Sequence, residues 1–172
     1  MNKSLTVADI FTKAVQVEQK GAHFYREVAA RLADPVKAAL IEELARMEEA
    51  HEATFSALLG QLGEEPGLAA PPGAGPARED LAEWSDGEVF DFHLDLVLGL
   101  TGRETLPEIL RKAIQMEKES IVFYLWVQEL VDDPVARSRV SRIVNQEFQH
   151  ISRLNRELKS LLPSGSIESH VL

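Results

Sequence analysis

Apolar residues recur at helical spacing along four long segments of the chain, and none of these segments shows the strict alternation of a strand. The pattern predicts helix A over residues 6–33, helix B up to about residue 62, helix C from residue 105 and helix D up to about residue 162. Asp34–Pro35 and Asp133–Pro134 separate the members of each pair, because Asp caps a helix and Pro suits its first turn. The sequence therefore predicts two helical hairpins.

The connection between the hairpins has a different composition. Residues 63–77 hold four Gly and four Pro, which the interior of a helix or strand would not accept. Ser85 and Glu88 then form a capping-box pattern that predicts a short extra helix ending near Gly99. We expect a single domain over residues 1–172, made of hairpin 1 at 6–62, a linker and crossover at 63–104, hairpin 2 at 105–162 and a tail at 163–172.

The two hairpins repeat each other at an offset of 99 residues, with about sixteen identical pairs and no gap. A hairpin that exposes an apolar face buries it most simply against its twin. The predicted fold class is therefore an all-α four-helix bundle with a pseudo-two-fold axis. The connection of about 43 residues is long enough to return along a helix of about 40 Å, so we expect helices B and C to run parallel.

Each hairpin carries one Glu in its first helix and a Glu-x-x-His in its second helix. Glu18 precedes Asp34 by 16 residues, and the Glu-x-x-His residues follow it by 14 and 17. The second hairpin has the same spacings around Asp133. At a rise of about 1.5 Å per residue these side chains lie level near mid-bundle, and residues three apart share a helix face. The predicted metal ligands are Glu18, Glu48, His51, Glu117, Glu147 and His150.

The composition narrows the chemistry of this set. Four facing carboxylates without a cation would each incur a desolvation penalty of several kcal/mol, whereas two divalent cations would cancel their charge. The chain has no cysteine, which excludes disulfides, thiolate-bound metals and a thiol nucleophile. Oxygen and imidazole ligands suit iron or manganese.

The charge balance and the hydropathy bear on partners and location. Lys and Arg number 18 against 28 Asp and Glu, a net charge of −10, which disfavours a nucleic-acid partner. The N-terminal residues lack the apolar region of a secretory signal, and no apolar stretch approaches the length of a membrane span. We therefore expect a soluble, cytoplasmic protein with no membrane partner.

At these residues the sequence resembles the ferritin-like di-iron carboxylate proteins, and among them rubrerythrin-like members without a rubredoxin domain. The similar stretches are EQKGAHFY with EEAH in the first hairpin and EKESIVFY with EFQH in the second. The resemblance implies two iron ions per chain, with manganese or zinc as substitutes, and Glu48 and Glu147 as bridging ligands. It also implies reduction of hydrogen peroxide, or of dioxygen, by a homodimeric protein.

The sequence departs from the rubrerythrin pattern at two points. Rubrerythrins usually have a further Glu one turn after the helix C ligand, where this chain has Ser120. The absence of cysteine removes the four-thiolate iron that commonly supplies electrons, so an external donor is needed, such as a rubredoxin-like protein or a reductase. Two alternatives stay open, namely iron binding, oxidation and storage, and a metal-free helical interaction module.

Tyr25 and Tyr124 follow Glu18 and Glu117 by seven residues, on the same helix face. Each could donate a hydrogen bond to a ligand carboxylate or supply an electron, although core packing is the alternative reading for both. The other histidines do not fit the ligand spacing and are not assigned to metal: His23, His93 and His170.

Overall fold

The computed structural model describes residues 7–62 and 104–161, and over these ranges the chain is helical with no strand. The four helices match the predicted helices A to D in order. They are α1 (Val7–Arg31), α2 (Pro35–Gln61), α3 (Leu106–Leu130) and α4 (Pro134–Leu161). The all-α prediction is confirmed for the described part of the chain.

Both Asp–Pro dipeptides begin a helix as predicted. The Asp34 carboxylate accepts hydrogen bonds from the backbone N–H groups of Val36 at 2.9 Å and Lys37 at 3.3 Å, and the Asp133 carboxylate accepts one from Ala136 at 2.5 Å. The prediction for the end of helix A was two residues too long, because α1 ends at Arg31. Asp34 has an extended backbone, with φ −83° and ψ 113°. The residues between Arg31 and this cap therefore belong to the turn and not to α1.

Two apolar clusters establish how the hairpins pack. One joins the first half of α1 to the second halves of α2 and α3 and the first half of α4. Within it, the ring of Phe55 lies 6.3 Å from that of Phe11 and 4.9 Å from that of Tyr124, centroid to centroid. The other cluster joins the opposite halves of the same helices. Helices α2 and α3 therefore run parallel, as predicted, and α1 runs antiparallel to α3.

A buried polar layer separates the two apolar clusters. Its members come from all four helices, and each is less than 9% exposed: Glu18, Glu48, His51, Glu117, Ser120, Glu147 and His150. Because burial of a charged side chain is costly without a partner, this layer is where the fold concentrates its chemistry.

Several expectations lie outside the described residues. They are the Gly/Pro linker, the short helix predicted after Ser85, the role of residues 78–103 and the tail. Among the described helices, none combines the length and the hydropathy needed to cross a membrane.

Candidate metal centre

The six predicted ligands converge at the middle of the bundle. Glu18 is on α1, Glu48 and His51 are one turn apart on α2, and α3 and α4 supply their counterparts: Glu117, Glu147 and His150. None is more than 4% exposed. The equal heights predicted from the distance to each turn thus hold in three dimensions.

The Nδ1 atom of His51 faces three carboxylates. It lies 3.1 Å from an oxygen of Glu147, 3.4 Å from Glu48 and 3.6 Å from Glu18. The imidazole of His150 lies beside that of His51, with ring centroids 5.6 Å apart and planes inclined by 19°. The two rings therefore present the same nitrogen to one shared set of carboxylates.

The Nδ1 atom of His150 also faces three carboxylates. It lies 2.9 Å from Glu147, 3.0 Å from Glu48 and 3.4 Å from Glu117. Glu48 and Glu147 thus contact both imidazoles, whereas Glu18 and Glu117 each contact one. These side chains form two groups, each able to hold one metal ion, and both groups contain Glu48 and Glu147. The first group is Glu18, Glu48, His51 and Glu147, and the second is Glu48, Glu117, Glu147 and His150.

Several buried polar atoms of this layer lack a hydrogen bond within the described part of the chain. They include Oε1 of Glu18 and Glu48, both carboxylate oxygens of Glu147, and Nδ1 of both histidines. Buried polar atoms rarely go unpaired in native proteins. Carboxylate oxygens and imidazole nitrogens that lie within 4.8 Å of one another in each group, buried and without hydrogen bonds, fit a pair of first-row divalent ions.

Without a cation the layer retains protons. Burial raises the pKa of Glu18 and Glu117, and the charge of Glu48 raises both further. Burial also acts on Glu48 and Glu147, and the charge of Glu48 raises the pKa of Glu147 further, but the two imidazoles, whose Nδ1 atoms lie 2.9–3.4 Å from these carboxylates, outweigh both effects and leave the pKa of each carboxyl below its ordinary value.

The imidazoles respond in the opposite direction. Burial lowers the pKa of each histidine, but the carboxylates around it prevail and raise that of His51 well above its usual range and that of His150 to about 12. The raised pKa values favour the charged form of both imidazoles and the neutral form of Glu18 and Glu117, whereas the lowered values favour the charged carboxylates of Glu48 and Glu147. Metal ions would replace these protons.

The two predicted tyrosines differ. The Tyr25 hydroxyl donates a hydrogen bond across the bundle to Oε1 of Glu117, in the other hairpin. The Tyr124 hydroxyl is also buried and interacts with Glu18, the matching carboxylate of the first hairpin, but it makes no hydrogen bond of ordinary geometry within the residues described. Burial raises the pKa of both phenols, as do nearby carboxylates, with Glu117 the foremost for Tyr25 and Glu18 for Tyr124. Both stay protonated at neutral pH.

A cavity adjoins the carboxylates on the α1–α3 side. The space inside it is about 10 Å³ for a water-sized molecule, and its wall includes Gly21, Tyr25, Met116 and Ser120 together with Glu18, Glu48 and Glu117. Gly21 and Ser120 correspond in the 99-residue repeat, and neither has a bulky side chain. This side of the centre therefore has space for about one water molecule.

Sequence reasoning missed one contact of the centre. The outer nitrogen of His51, Nε2, lies 3.1 Å from Oε1 of Gln146, and Gln146 lines a groove between α2 and α4. The counterpart of Gln146 in the repeat is Met47, which cannot make an equivalent hydrogen bond. A mismatch in the repeat beside a ligand was the available signal.

Five other polar residues considered as ligands, all within the described ranges, are not part of the centre. His23 and Glu43 are exposed, while Glu49 pairs with Arg26 and Glu52 accepts a hydrogen bond from Gln19 at 2.7 Å. Glu119 accepts one from Gln115 at 2.8 Å. His93 and His170 lie outside the described residues.

Comparison with known proteins agrees with this geometry. A family model described as Rubrerythrin matches residues 9–159. The chain belongs to the rubrerythrin family. Membership implies a di-iron type of site, and the six converging side chains are the residues that would form it.

One solved structure resembles this rubrerythrin-family chain along most of its length. It is a crystal structure at 2.30 Å of a candidate ferritin-like diiron-carboxylate protein from Thermotoga maritima, with a TM-score of 0.68 and 24% sequence identity. The match covers 92% of this chain and 98% of that one. The fold is therefore ferritin-like, as expected. No curated protein matches the chain.

Proposed function

We propose that this rubrerythrin-family chain binds two iron ions and reduces hydrogen peroxide with electrons from an external donor. The observation that carries the proposal is the overlap of two buried four-residue groups in Glu48 and Glu147. Iron bound there would supply redox chemistry, since each ion can change its charge by one electron. Manganese and zinc are substitutes that the same ligands accept.

The assignment of ligands follows the contacts. Glu18 and His51 serve one ion, and Glu117 and His150 serve the other. Glu48 and Glu147 bridge them, because each contacts both imidazoles at 3.4 Å or less. Every ligand comes from the middle of a long helix, where packing on both sides restricts movement of the side chain.

The residues around the cavity bear on access of the oxidant. Gly21 and Ser120 place no bulky side chain beside the carboxylates, but the space there is that of about one water molecule, so the wall has to move for a peroxide molecule to enter. The Tyr25 hydroxyl keeps Glu117 in place by its hydrogen bond and holds a proton next to that space. Reduction of one peroxide molecule to two water molecules consumes two protons and two electrons. Burial of the ligands keeps bulk solvent away from the centre.

The electrons must come from another molecule. The chain has no cysteine, so it can neither hold a thiolate-bound iron nor form a dithiol that would deliver an electron pair. A rubredoxin-like protein or a reductase is the class of donor that we propose. A homodimer and a cytoplasmic location stay predictions, and light scattering would test the first.

The experiment is rapid mixing of the ferrous protein with hydrogen peroxide and, separately, with dioxygen. We expect peroxide to react faster, about two irons per chain to stay bound over many cycles, and an artificial donor to sustain turnover.

Uptake of iron far beyond two per chain into a large hollow particle would instead support iron storage, the second candidate, which the nearly symmetric six-residue ligand set favours. A metal-free interaction module would bind no iron, and the four facing carboxylates make it the weakest alternative.

A further inference from the structure

A groove between the second half of α2 and the first half of α4 borders the other side of the centre. It is open to solvent and has a volume of about 430 Å³, and its wall includes the small residues Ala53, Thr54 and Ala57 of α2. Helix α4 contributes Arg139, Arg142 and Gln146. The groove is thus wide on its α2 side and cationic on its α4 side.

The charge of this groove is opposite to that of the whole chain. The chain has a net charge of −10, yet the charged residues in the groove wall are two arginines and no acid. Arg139 donates a weak hydrogen bond of 3.4 Å to the Gln61 amide oxygen. Within residues 7–62 and 104–161, neither arginine forms an ion pair with a carboxylate, so both guanidinium groups can bind an external anionic group.

One side chain connects the groove to the metal ligands. Gln146 lies in the groove wall and contacts Nε2 of His51, while Nδ1 of the same imidazole faces the carboxylates. The path from the groove to the centre therefore consists of one amide and one imidazole ring. A donor seated in the groove would lie close to the ligands without entering the bundle.

The equivalent surface of the other half is closed. The 99-residue repeat relates Arg142 to Glu43 and Thr54 to Arg153. In that half the Arg153 guanidinium donates a hydrogen bond to Glu43 at 2.9 Å and one to the sulfur of Met47 at 3.9 Å. At the positions that correspond to Thr54 and Arg142 in the groove, this surface thus has a long side chain and an ion pair. Among the described residues the groove arginines have no such carboxylate partner, so the two surfaces differ.

We propose that this groove is the docking surface for the electron donor, and that the donor is a protein with an acidic face. The inference rests on the proposed function, because peroxide reduction needs two electrons that this chain cannot supply. Two reduced donor proteins dock in succession, and each is oxidised by one electron. Carboxylates of the donor pair with Arg139 and Arg142, and electrons enter by way of Gln146 and His51.

The test uses reduced rubredoxin of negative net charge as the probe. The double variant Arg139→Glu, Arg142→Glu is compared with the control Arg111→Glu, Arg156→Glu, which changes the net charge equally at exposed sites away from the groove. Titration calorimetry with the metal-free and the iron-loaded protein measures binding. We expect the Kd to rise at least about tenfold in the groove variant and little in the control, and added salt to weaken wild-type binding.

A kinetic measurement distinguishes the two levels of the proposal. The ratio of the peroxide reduction rate with rubredoxin to that with a neutral small-molecule donor should fall about tenfold in the groove variant. Gln146→Leu should lower the same ratio with an unchanged Kd for rubredoxin. Binding that is unchanged in the groove variant, or weakened equally in the control, would overturn the docking surface. Failure of peroxide turnover with the small-molecule donor would instead refute the proposed function.

Discussion

Hairpin α1–α2 and hairpin α3–α4 place the same three residue types at the same height, yet their surroundings differ. Tyr25 of the first hairpin donates a hydrogen bond to the opposite carboxylate, whereas its counterpart Tyr124 interacts with Glu18 without a hydrogen bond of ordinary geometry in the described residues. Gln146 contacts one imidazole, and its counterpart Met47 leaves Nε2 of the other without a partner among the described residues. The ligands of the two halves therefore match, whereas the groups that contact those ligands differ.

We expect the largest effect, a loss of bound metal, from changes to the ligands that the two hairpins have in common. Glu48→Ala with Glu147→Ala removes the two carboxylates that contact both histidines, so we expect both iron ions to be lost. Glu18→Ala removes a carboxylate that contacts only His51, and about one ion per chain should stay bound. Elemental analysis after gel filtration measures this, with the surface variant Glu49→Ala as control. Retention of about two ions in the double variant would contradict the bridging assignment.

Proton release tests whether the two halves respond to metal in the same way. The pKa values of Glu18, Glu117, His51 and His150 are all raised, so these groups hold protons more tightly in the metal-free centre than in the unfolded chain. Binding of two divalent ions should therefore release more than one proton per chain. Calorimetric titration in two buffers of different ionisation enthalpy gives the number. Release of one proton or none would show that the centre is already ionised without metal.

The same pKa values fix the pH dependence of the metal-free protein. A raised pKa in the folded state stabilises it below the unfolded pKa, and this contribution is lost as the pH rises towards the folded value. The lowered pKa values of Glu48 and Glu147 stabilise the folded state above the unfolded pKa of a glutamate, and this stabilisation is lost as the pH falls into the acid range. Each raised group subtracts up to about 1.4 kcal/mol per pH unit. Thermal melts should therefore show the chelated protein losing stability above about pH 4.5, where Glu18 and Glu117 ionise in the unfolded chain, and more steeply above about pH 6.5, where the two histidines add to the loss. The iron-loaded protein should change less.

The tyrosines provide a direct test of the asymmetry. Tyr25→Phe leaves the buried Glu117 without its donor, which should lower the free energy of unfolding by about 1–2 kcal/mol. Tyr124→Phe removes a hydroxyl that interacts with Glu18 without a hydrogen bond of ordinary geometry in the described ranges, so its loss should be smaller, within about 0.5 kcal/mol. Urea denaturation of the chelated variants at one pH compares them. Equal losses would mean that the two hydroxyls are bonded alike.

The smallest effect is expected at the closed counterpart of the groove. Arg153→Thr would give this position the residue type of Thr54 and break the contact with Glu43. Because the pair is partly exposed, the loss of stability should be at most about 1 kcal/mol. Denaturation with Arg156→Thr as control measures it. A loss of several kcal/mol would show that Arg153 supports the core rather than covering its surface.

The features that the two hairpins share could be predicted from the sequence, whereas the contacts that differ between them could not. The capping of Asp34 and Asp133, the 99-residue repeat and the distances from each turn depend on backbone geometry, which a helical sequence specifies closely. The hydrogen bond of Tyr25 and the contact of Gln146 depend on side-chain rotamers in a particular packing. No spacing rule distinguishes Tyr25 from Tyr124, since both follow a ligand by seven residues.

A crystal structure of the protein loaded anaerobically with Fe(II), with anomalous data at the iron edge, tests the central claim most directly. The account predicts two peaks of similar height. One should lie among Glu18, Glu48, His51 and Glu147, and the other among Glu48, Glu117, Glu147 and His150. A single peak between the histidines, or iron bound outside this buried layer, would contradict a centre of two ions that share two carboxylates.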